Sequence, residues 1–450
     1  MARSKFSFSK EDSLEPLAPN WFLLIFLAIT PLQSLYLRLG SLGAGINLLN
    51  LLLLFAFLTW RSRKEFTIPT ATSCNVPLIL FGLSYCFGLV MRLSTLGSID
   101  FYVIQRLKDT LMPLLVFFIV LNTVRDKEGI LKVLIATWLP LPLMFVQFAR
   151  QFADVGTWHY SNKLRNVVST FEGLGSNEIA AFFAAYGVFC LVFAFIIDSV
   201  KIRVTLFVLA AMNAYCVMFS YSRGSWLAFV AGLALGGWYM NRKIAITVIP
   251  IAFVFGGALL PFLPVSVQER VTTIFVDDES ERDNSAESRF VLWGIAWEEF
   301  KKSPIVGRGY RTFVEANPWR KDTHGYYMKL LAEFGLVGFS IFMILFWRTF
   351  KAARYLSVSS QDPLFRALGT AMVGCIGVFA IGNIFGDRMS HYPLAMYFWS
   401  YLALILRAIK LEEESPAAVQ QAPAKQKFSL QTARRKDVQP SRPISPQPGR

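Results

Sequence analysis

Charge is scarce in this chain. Asp, Glu, Lys and Arg together make up only 17% of its 450 residues. Soluble domains run near a quarter charged, so a soluble enzyme is excluded. A disordered or fibrous chain is excluded as well, because 54% of the residues are hydrophobic and Phe alone occurs 41 times. Five cysteines (Cys74, Cys86, Cys190, Cys216 and Cys375) lie in or beside apolar runs without paired spacing. That spacing argues against a disulfide framework or a zinc site, and they read as small buried hydrophobes. A Walker lysine loop, a dinucleotide fingerprint, an HExxH pair and an Asp-x-Asp pair at a span end are all missing. No cofactor and no metal site are therefore expected.

What the chain has in quantity is long apolar runs. Twelve blocks have about the length that crosses a hydrocarbon core roughly 30 Å thick: 21–37, 42–60, 76–93, 109–124, 130–149, 178–197, 202–220, 225–240, 244–262, 328–347, 367–386 and 393–409. The fold class expected is an all-α polytopic membrane protein with about twelve transmembrane helices. The fourth block is the weakest, with Lys108 and Asp109 at its start and Pro113 inside. Pro31, Pro140 and Pro142 are candidate kinks, which neighbouring helices in a bundle tolerate.

The net charge of +15 suggests nucleic acid until its placement is considered. Lys and Arg cluster at alternate joints: Arg61, Arg63 and Lys64; Arg125 and Lys127; Lys201 and Arg203; Arg242 and Lys243; Arg348, Lys351 and Arg354. This is the positive-inside pattern, so the cationic residues report orientation rather than a nucleic-acid partner. Both termini are then cytoplasmic. The run after Arg3, Lys5 and Lys10 has a cleaved signal peptide as its rival reading. It is long for one and no small-x-small site follows, so it is read as a retained first span.

The expected organisation is a cytoplasmic segment at 1–20, nine spans across 21–262, a large outer loop at 263–327, three spans across 328–409 and a cytoplasmic tail at 410–450. From Ser415 the tail is rich in Pro, Gln, Ala, Lys and Arg, a composition that cannot bury a core. The outer loop departs from the short-joint pattern. Its stretch 288–302 sets Phe290, Trp293, Ile295, Trp297 and Phe300 among Glu298, Glu299, Lys301 and Lys302. An amphipathic helix at the lipid interface is the expected result. Long structured loops amid short connections usually carry function.

Few residues on the outer side can carry chemistry. The three histidines, His159, His324 and His391, all fall there. His324 lies where the large loop re-enters the membrane, and a neutral imidazole can take a proton from a hydroxyl, worth about 10²–10⁴ in rate. The plainer reading is an interfacial histidine bonded to lipid or backbone. Arg223, in Ser222-Arg223-Gly224-Ser225-Trp226, sits at an outer joint with almost no loop. A cation there tends to be paired or to hold an anion; a snorkelling arginine is the alternative. Arg289 opens the amphipathic stretch, and a guanidinium matches phosphate in a fork as lysine cannot; a solvated charge is its plainer reading. Arg308 and Arg311 follow the turn begun by Pro304 and are further candidates for substrate contacts. The acidic run Asp277–Glu281 reads as a solvated loop. One histidine with several arginines suits a donor that already carries a doubly charged leaving group.

Four motifs in order then become familiar: Ser222-Arg223-Gly224-Ser225-Trp226-Leu227-Ala228; Arg289-x-x-x-Trp293; Pro304-x-x-Gly307-x-Gly309-x-x-x-Phe313; and His324 with Leu330-Leu331-Ala332-Glu333-Phe334-Gly335-Leu336-Val337-Gly338. With Ser169-Thr170-Phe171 and Ser176-Asn177-Glu178 ahead of them, they resemble the O-antigen ligase and O-antigen polymerase superfamily of bacterial envelope glycan enzymes. The resemblance covers about 165–340. It implies a GT-C-like helical fold in the bacterial inner membrane and an active site on the periplasmic face. It also implies a glycan donor on undecaprenyl pyrophosphate and inverting transfer without a metal. His324 matches the proposed base, and Arg223 and Arg289 match the arginines that engage the pyrophosphate. Most similar is the O-antigen ligase, whose acceptor is the lipid A core. One departure stands: the family often has Asn or Ser after the histidine, and this chain has Gly325.

A polymerase or a protein O-glycosylating relative shares the chemistry and differs in acceptor, which the sequence does not read. A lipid-glycan flippase or anion transporter is the alternative from another class. Transporters tend to show internal repeats and mid-span ionisable or broken segments, whereas here the charges gather at span ends and no repeat is evident.

Overall fold

The computed structural model describes residues 18–32, 47–62, 70–155, 159–161, 164–165, 174–243, 245–246, 260–272 and 285–414. Most of the expected span 244–262 lies outside the described residues. So do most of the N-terminal segment, Ser169-Thr170-Phe171, the acidic run Asp277–Glu281 and the tail from 415. Among the described residues the elements are all helical. Before the large loop they are α1 (Trp21–Ile29), α2 (Leu48–Ser62), α3 (Asn75–Leu96), α4 (Phe101–Thr123) and α5 (Lys127–Trp138). They continue with α6 (Leu141–Val155), α7 (Ser176–Ile196), α8 (Val200–Phe219) and α9 (Arg223–Met240). The loop contributes α10 (Val265–Thr272), α11 (Ser285–Lys302) and α12 (Thr312–Ala316). The chain then closes with α13 (Tyr326–Ser359), α14 (Pro363–Gly382) and α15 (Tyr392–Glu413).

Seven of the described helical segments are long and apolar enough to cross a membrane: Asn75–Leu96, Lys127–Asp154, Ser176–Ile196, Val200–Phe219, Tyr326–Ser359, Pro363–Gly382 and Tyr392–Glu413. Trp21–Leu32 and Leu48–Ser62 are shorter apolar helices. Helices thus occupy eleven of the twelve expected blocks. Three of the differences in extent have a visible cause or are large. The block 130–149 is divided between α5 and α6 at Leu139-Pro140; Leu139 keeps helical angles (φ −53°, ψ −39°), but Pro140 has no N–H to continue the hydrogen-bond ladder. The block 109–124 starts earlier, at Phe101, because Lys108 and Asp109 pair at 3.2 Å instead of ending the helix. The block 328–347 runs on to Ser359.

The bundle is layered by burial. Helices α7, α14 and α15 are 83% buried over their apolar windows, against 33% for α3. A helix that is apolar all round belongs in a protein interior. Helix α9 lies against α14 through small residues: a Cβ on Gly232 would come within 3.0 Å of the Gly374 carbonyl. Such contacts allow close backbone approach where hydrocarbon supplies no hydrophobic drive.

Two of the sequence motifs form one structure. At Gly335 the backbone leaves helical geometry (φ 62°, ψ −164°), a region essentially reserved for glycine. The kink frees backbone groups in α13, and the Pro304–Gly309 turn satisfies them. Arg308 and Gly309 donate to the Ala332 and Glu333 carbonyls at 3.0 and 2.9 Å. Leu336 and Val337 donate to Pro304 and Ile305 at 2.8 and 3.0 Å. Tyr310 donates to the Gly88 carbonyl of α3 at 2.8 Å. The loop is thereby fixed to two membrane helices, which sets the position of the segment leading to His324.

Candidate active site

Four helix starts converge at one end of the bundle. Asn177, in the first turn of α7, accepts from the Ser222 hydroxyl at 2.8 Å, and its carbonyl accepts from Ser225 of α9 at 3.2 Å. Glu178 accepts from Arg388 at 2.6 Å, three residues before His391, which stands at the N-cap position of α15 without a side-chain cap bond. Tyr326, at the start of α13, donates to the Asn383 carbonyl at 2.8 Å. Helix N-termini carry partial positive charge, so this end of the molecule favours anions.

His324 lies at this convergence, two residues before α13. Its φ of 50° is left-handed, a conformation uncommon for a residue with a side chain and costing on the order of 1–3 kcal/mol. Surrounding bonds hold it there: Thr323 donates its hydroxyl to the Gly325 carbonyl at 2.8 Å. Burial and the Arg289 guanidinium hold the imidazole below the ordinary histidine pKa. Glu178 and Asp322 oppose that shift, and Arg388 adds to it. The group is therefore neutral, and able to accept a proton, to lower pH than a free histidine.

The expected arginines divide. Arg289 of α11 lies within electrostatic range of His324. Arg223 begins α9 at the same end, joined to the His324 region through a shared turn. A Cβ on its neighbour Gly224 would stand 2.9 Å from Phe385, in the turn that follows Asn383. The segment before Arg223 is pinned from the large loop. Tyr221 has φ 55°, its carbonyl accepts from Arg270 at 3.1 Å, and its hydroxyl donates to Ser266 at 3.0 Å. Arg308 faces Glu299 of α11 at 3.3 Å, which ties the turn to that helix. Arg311 lies over the Tyr102 ring at 5.2 Å. His159 stands apart, bonded to Glu269 at 2.6 Å.

The glycine after His324 has a packing reason. A Cβ at Gly325 would stand 2.9 Å from Trp293 Nε1 and 3.0 Å from the Ile384 carbonyl. The indole of the Arg289-x-x-x-Trp293 motif takes the room that a larger residue would need.

Several charged neighbours were not singled out from the sequence. Glu178 bonds Arg388 and faces His391 at 3.8 Å. Lys329, 3% exposed, contacts Asp387 at 2.5 Å and Asp322 at 3.6 Å. Lys329 and Arg311 hold the Asp322 carboxyl below its usual range. A lysine inside the first turn of an apolar span was a usable signal, because burying it is costly without a partner.

The fold and this end of it define a class: a multi-pass helical membrane protein with a buried, cation-rich polar site where its helices begin. Residues 205–343 match the family model described as O-antigen ligase, which supports a place in that superfamily for this part of the chain. The matched segment contains Arg223, Arg289, Arg308, Arg311 and His324, whereas Glu178, Asp387 and Arg388 lie outside it. No curated protein and no solved structure matches the chain. The family match supports a glycosyltransferase of the O-antigen ligase and polymerase type, acting on glycan and lipid substrates.

Proposed function

We propose that this protein is an inverting, metal-independent glycosyltransferase of the bacterial inner membrane. It moves a glycan from undecaprenyl pyrophosphate to an acceptor hydroxyl on the periplasmic face, with both termini in the cytoplasm. The acceptor assigned is the lipid A core, which makes the reaction O-antigen ligation in lipopolysaccharide biosynthesis. The observation that carries this reading is a neutral, strained His324 within electrostatic range of Arg289 at the meeting point of four helix starts.

In this reading Arg289 and Arg223 engage the pyrophosphate and stabilise the charge that builds on it as the glycosidic bond breaks. The acceptor oxygen attacks the anomeric carbon from the opposite face. The bond from that carbon to the pyrophosphate oxygen breaks, and its electron pair leaves with undecaprenyl pyrophosphate. His324 takes the acceptor proton, and Glu178 and Asp322 stabilise the resulting imidazolium. Arg308, engaged by Glu299, positions the loop, and Arg311 is left for the substrate.

The test replaces His324 with Ala, verifies membrane expression and folding, and follows transfer of lipid-linked polymer to lipid A core. Loss of about 10²-fold or more is expected; full activity removes the base. Polymerisation is separated by the deletion strain: missing glycan on lipid A with normal chain length supports ligation, and shortened chains support a polymerase.

A further inference from the structure

Beside the Asp322–His324 turn lies a polar cavity of about 340 Å³, near the lower end of small-molecule sites, which run roughly 300–1,000 Å³. Asn50 of α2, Tyr102 and Arg106 of α4, Arg311, Asp322 and His391 line it. Most of its charges are already satisfied. Lys108 pairs with Asp109 at 3.2 Å, and Lys329 holds Asp387 at 2.5 Å and Asp322 at 3.6 Å.

Arg106 and Arg311 differ. Among the described residues neither has a carboxylate within ion-pair distance, and both guanidinium groups lie over the same ring, Tyr102, at 5.1 and 5.2 Å. Arg106 is anchored by donating to the Tyr102 hydroxyl at 3.0 Å, and Arg311 by its own carbonyl, which accepts from Arg92 at 2.9 Å. Asp322 and Glu333 act on Arg311 only from beyond ion-pair distance, so two like charges drawn to one ring keep their guanidinium faces for an incoming anion. Guanidinium groups match phosphate and carboxylate oxygens. The rest of the lining, with Asn50, Thr110 and Ser390, offers donors and acceptors suited to hydroxyl groups. An anion carried on a hydroxylated ring meets both requirements.

We infer that this cavity is an acceptor subsite that takes an anionic sugar, phosphorylated or carboxylated, with Arg106 and Arg311 on the anion. The assignment to the acceptor rests on the glycosyl-transfer reading. Asp322 lies on the cavity wall, and only Thr323 separates it from His324, a reach of about 7 Å of chain. A sugar seated here is therefore close to the proposed base, and it leaves the Arg289 side to the lipid pyrophosphate.

The test uses the full chain in detergent and measures binding of glucose 6-phosphate, glucose and inorganic phosphate by calorimetry. Glucose 6-phosphate is expected to bind at least tenfold tighter than either fragment. Arg106→Gln and Arg311→Gln should each remove most of that preference, and Lys351→Gln, far along α13, should leave it intact. In the transfer assay the same two changes should raise KM about tenfold for a phosphorylated acceptor. They should leave KM for the dephosphorylated acceptor, KM for the donor and the pH profile unchanged. Equal binding of glucose and glucose 6-phosphate, or a double variant that keeps the preference, overturns the inference. Binding displaced by phosphatidylglycerol nanodiscs but not by glucose 6-phosphate also overturns it, since the site would then hold a lipid headgroup. Binding through both arginines in a chain that transfers nothing supports the anionic-sugar site and counts against the transferase reading alone.

Discussion

Arg388 Nη1 donates to the Glu178 carboxylate at 2.6 Å across 210 positions of sequence, and the Arg388 side chain is only 2% exposed. This pair binds the start of α7 to the turn between α14 and α15, and through Asn383 to the start of α13. Removing one partner of a buried ion pair costs about 3–5 kcal/mol, because the other charge is left unpaired. Glu178→Gln and Arg388→Met should each lower the midpoint of thermal unfolding in detergent. The double variant Glu178→Gln/Arg388→Met should lie above either single one. Strictly additive losses would show that the two side chains are not coupled.

The environment of His324 fixes the direction of a pH effect. Burial and Arg289 lower its pKa, so the neutral base persists below the ordinary histidine value of about 6.5. The acid limb of kcat/KM should therefore fall below that pH. Arg289→Gln removes a repelling cation and should move the limb upward, in addition to slowing transfer. Glu178→Gln removes an attracting anion and should move it further down. A limb that stays in place in both variants would mean that another group titrates.

Crowding at Gly325 makes a more local prediction. Gly325→Ala brings a methyl group to about the 2.9 Å separation found at Trp293 Nε1, so the turn carrying His324 must shift. A displacement near 1 Å can cost about 10²-fold in rate. The variant should fold, bind donor normally and lose at least tenfold in kcat. Adding Trp293→Phe removes the atom in the way and should restore part of the loss. The Ile384 carbonyl at 3.0 Å keeps that rescue incomplete.

The apolar runs made most of the helices legible, because a bilayer demands a minimum length of uninterrupted apolar sequence. Arg289 and His324 were legible through residue type and motif spacing, and the structure brings them into electrostatic range. Glu178 was visible only as part of a resembling segment, since nothing local reveals that its partner lies at Arg388. Lys329 was hidden differently: it sits in an apolar run, and the acid that makes it tolerable, Asp387, arrives from another helix joint. The break at Leu139-Pro140 was signalled by Pro140 as a candidate kink, whereas the kink at Gly335 escaped. Hydropathy is continuous through Gly335, and only backbone geometry distinguishes it.

Gly335 and Gly97 allow that geometry to be tested against a control. Both have positive φ, 62° and 70°, so alanine at either strains the backbone: by roughly 1–2 kcal/mol at the left-handed Gly97, and by more at Gly335, whose ψ of −164° lies in a region essentially reserved for glycine. At Gly97 a Cβ meets nothing within 4 Å, and that strain is the whole cost. At Gly335 a Cβ would stand 2.5 Å from the Ile305 carbonyl, in the turn whose Pro304 and Ile305 carbonyls accept from Leu336 and Val337. Alanine there must push the Pro304–Gly309 turn off α13 and leave those donors unsatisfied, at about 1–3 kcal/mol for each buried group. Thermal unfolding should therefore rank wild type above Gly97→Ala, with Gly335→Ala well below both. Equal losses at the two positions would mean that the turn is not held by the kink, and that the segment leading to His324 takes its position from something else.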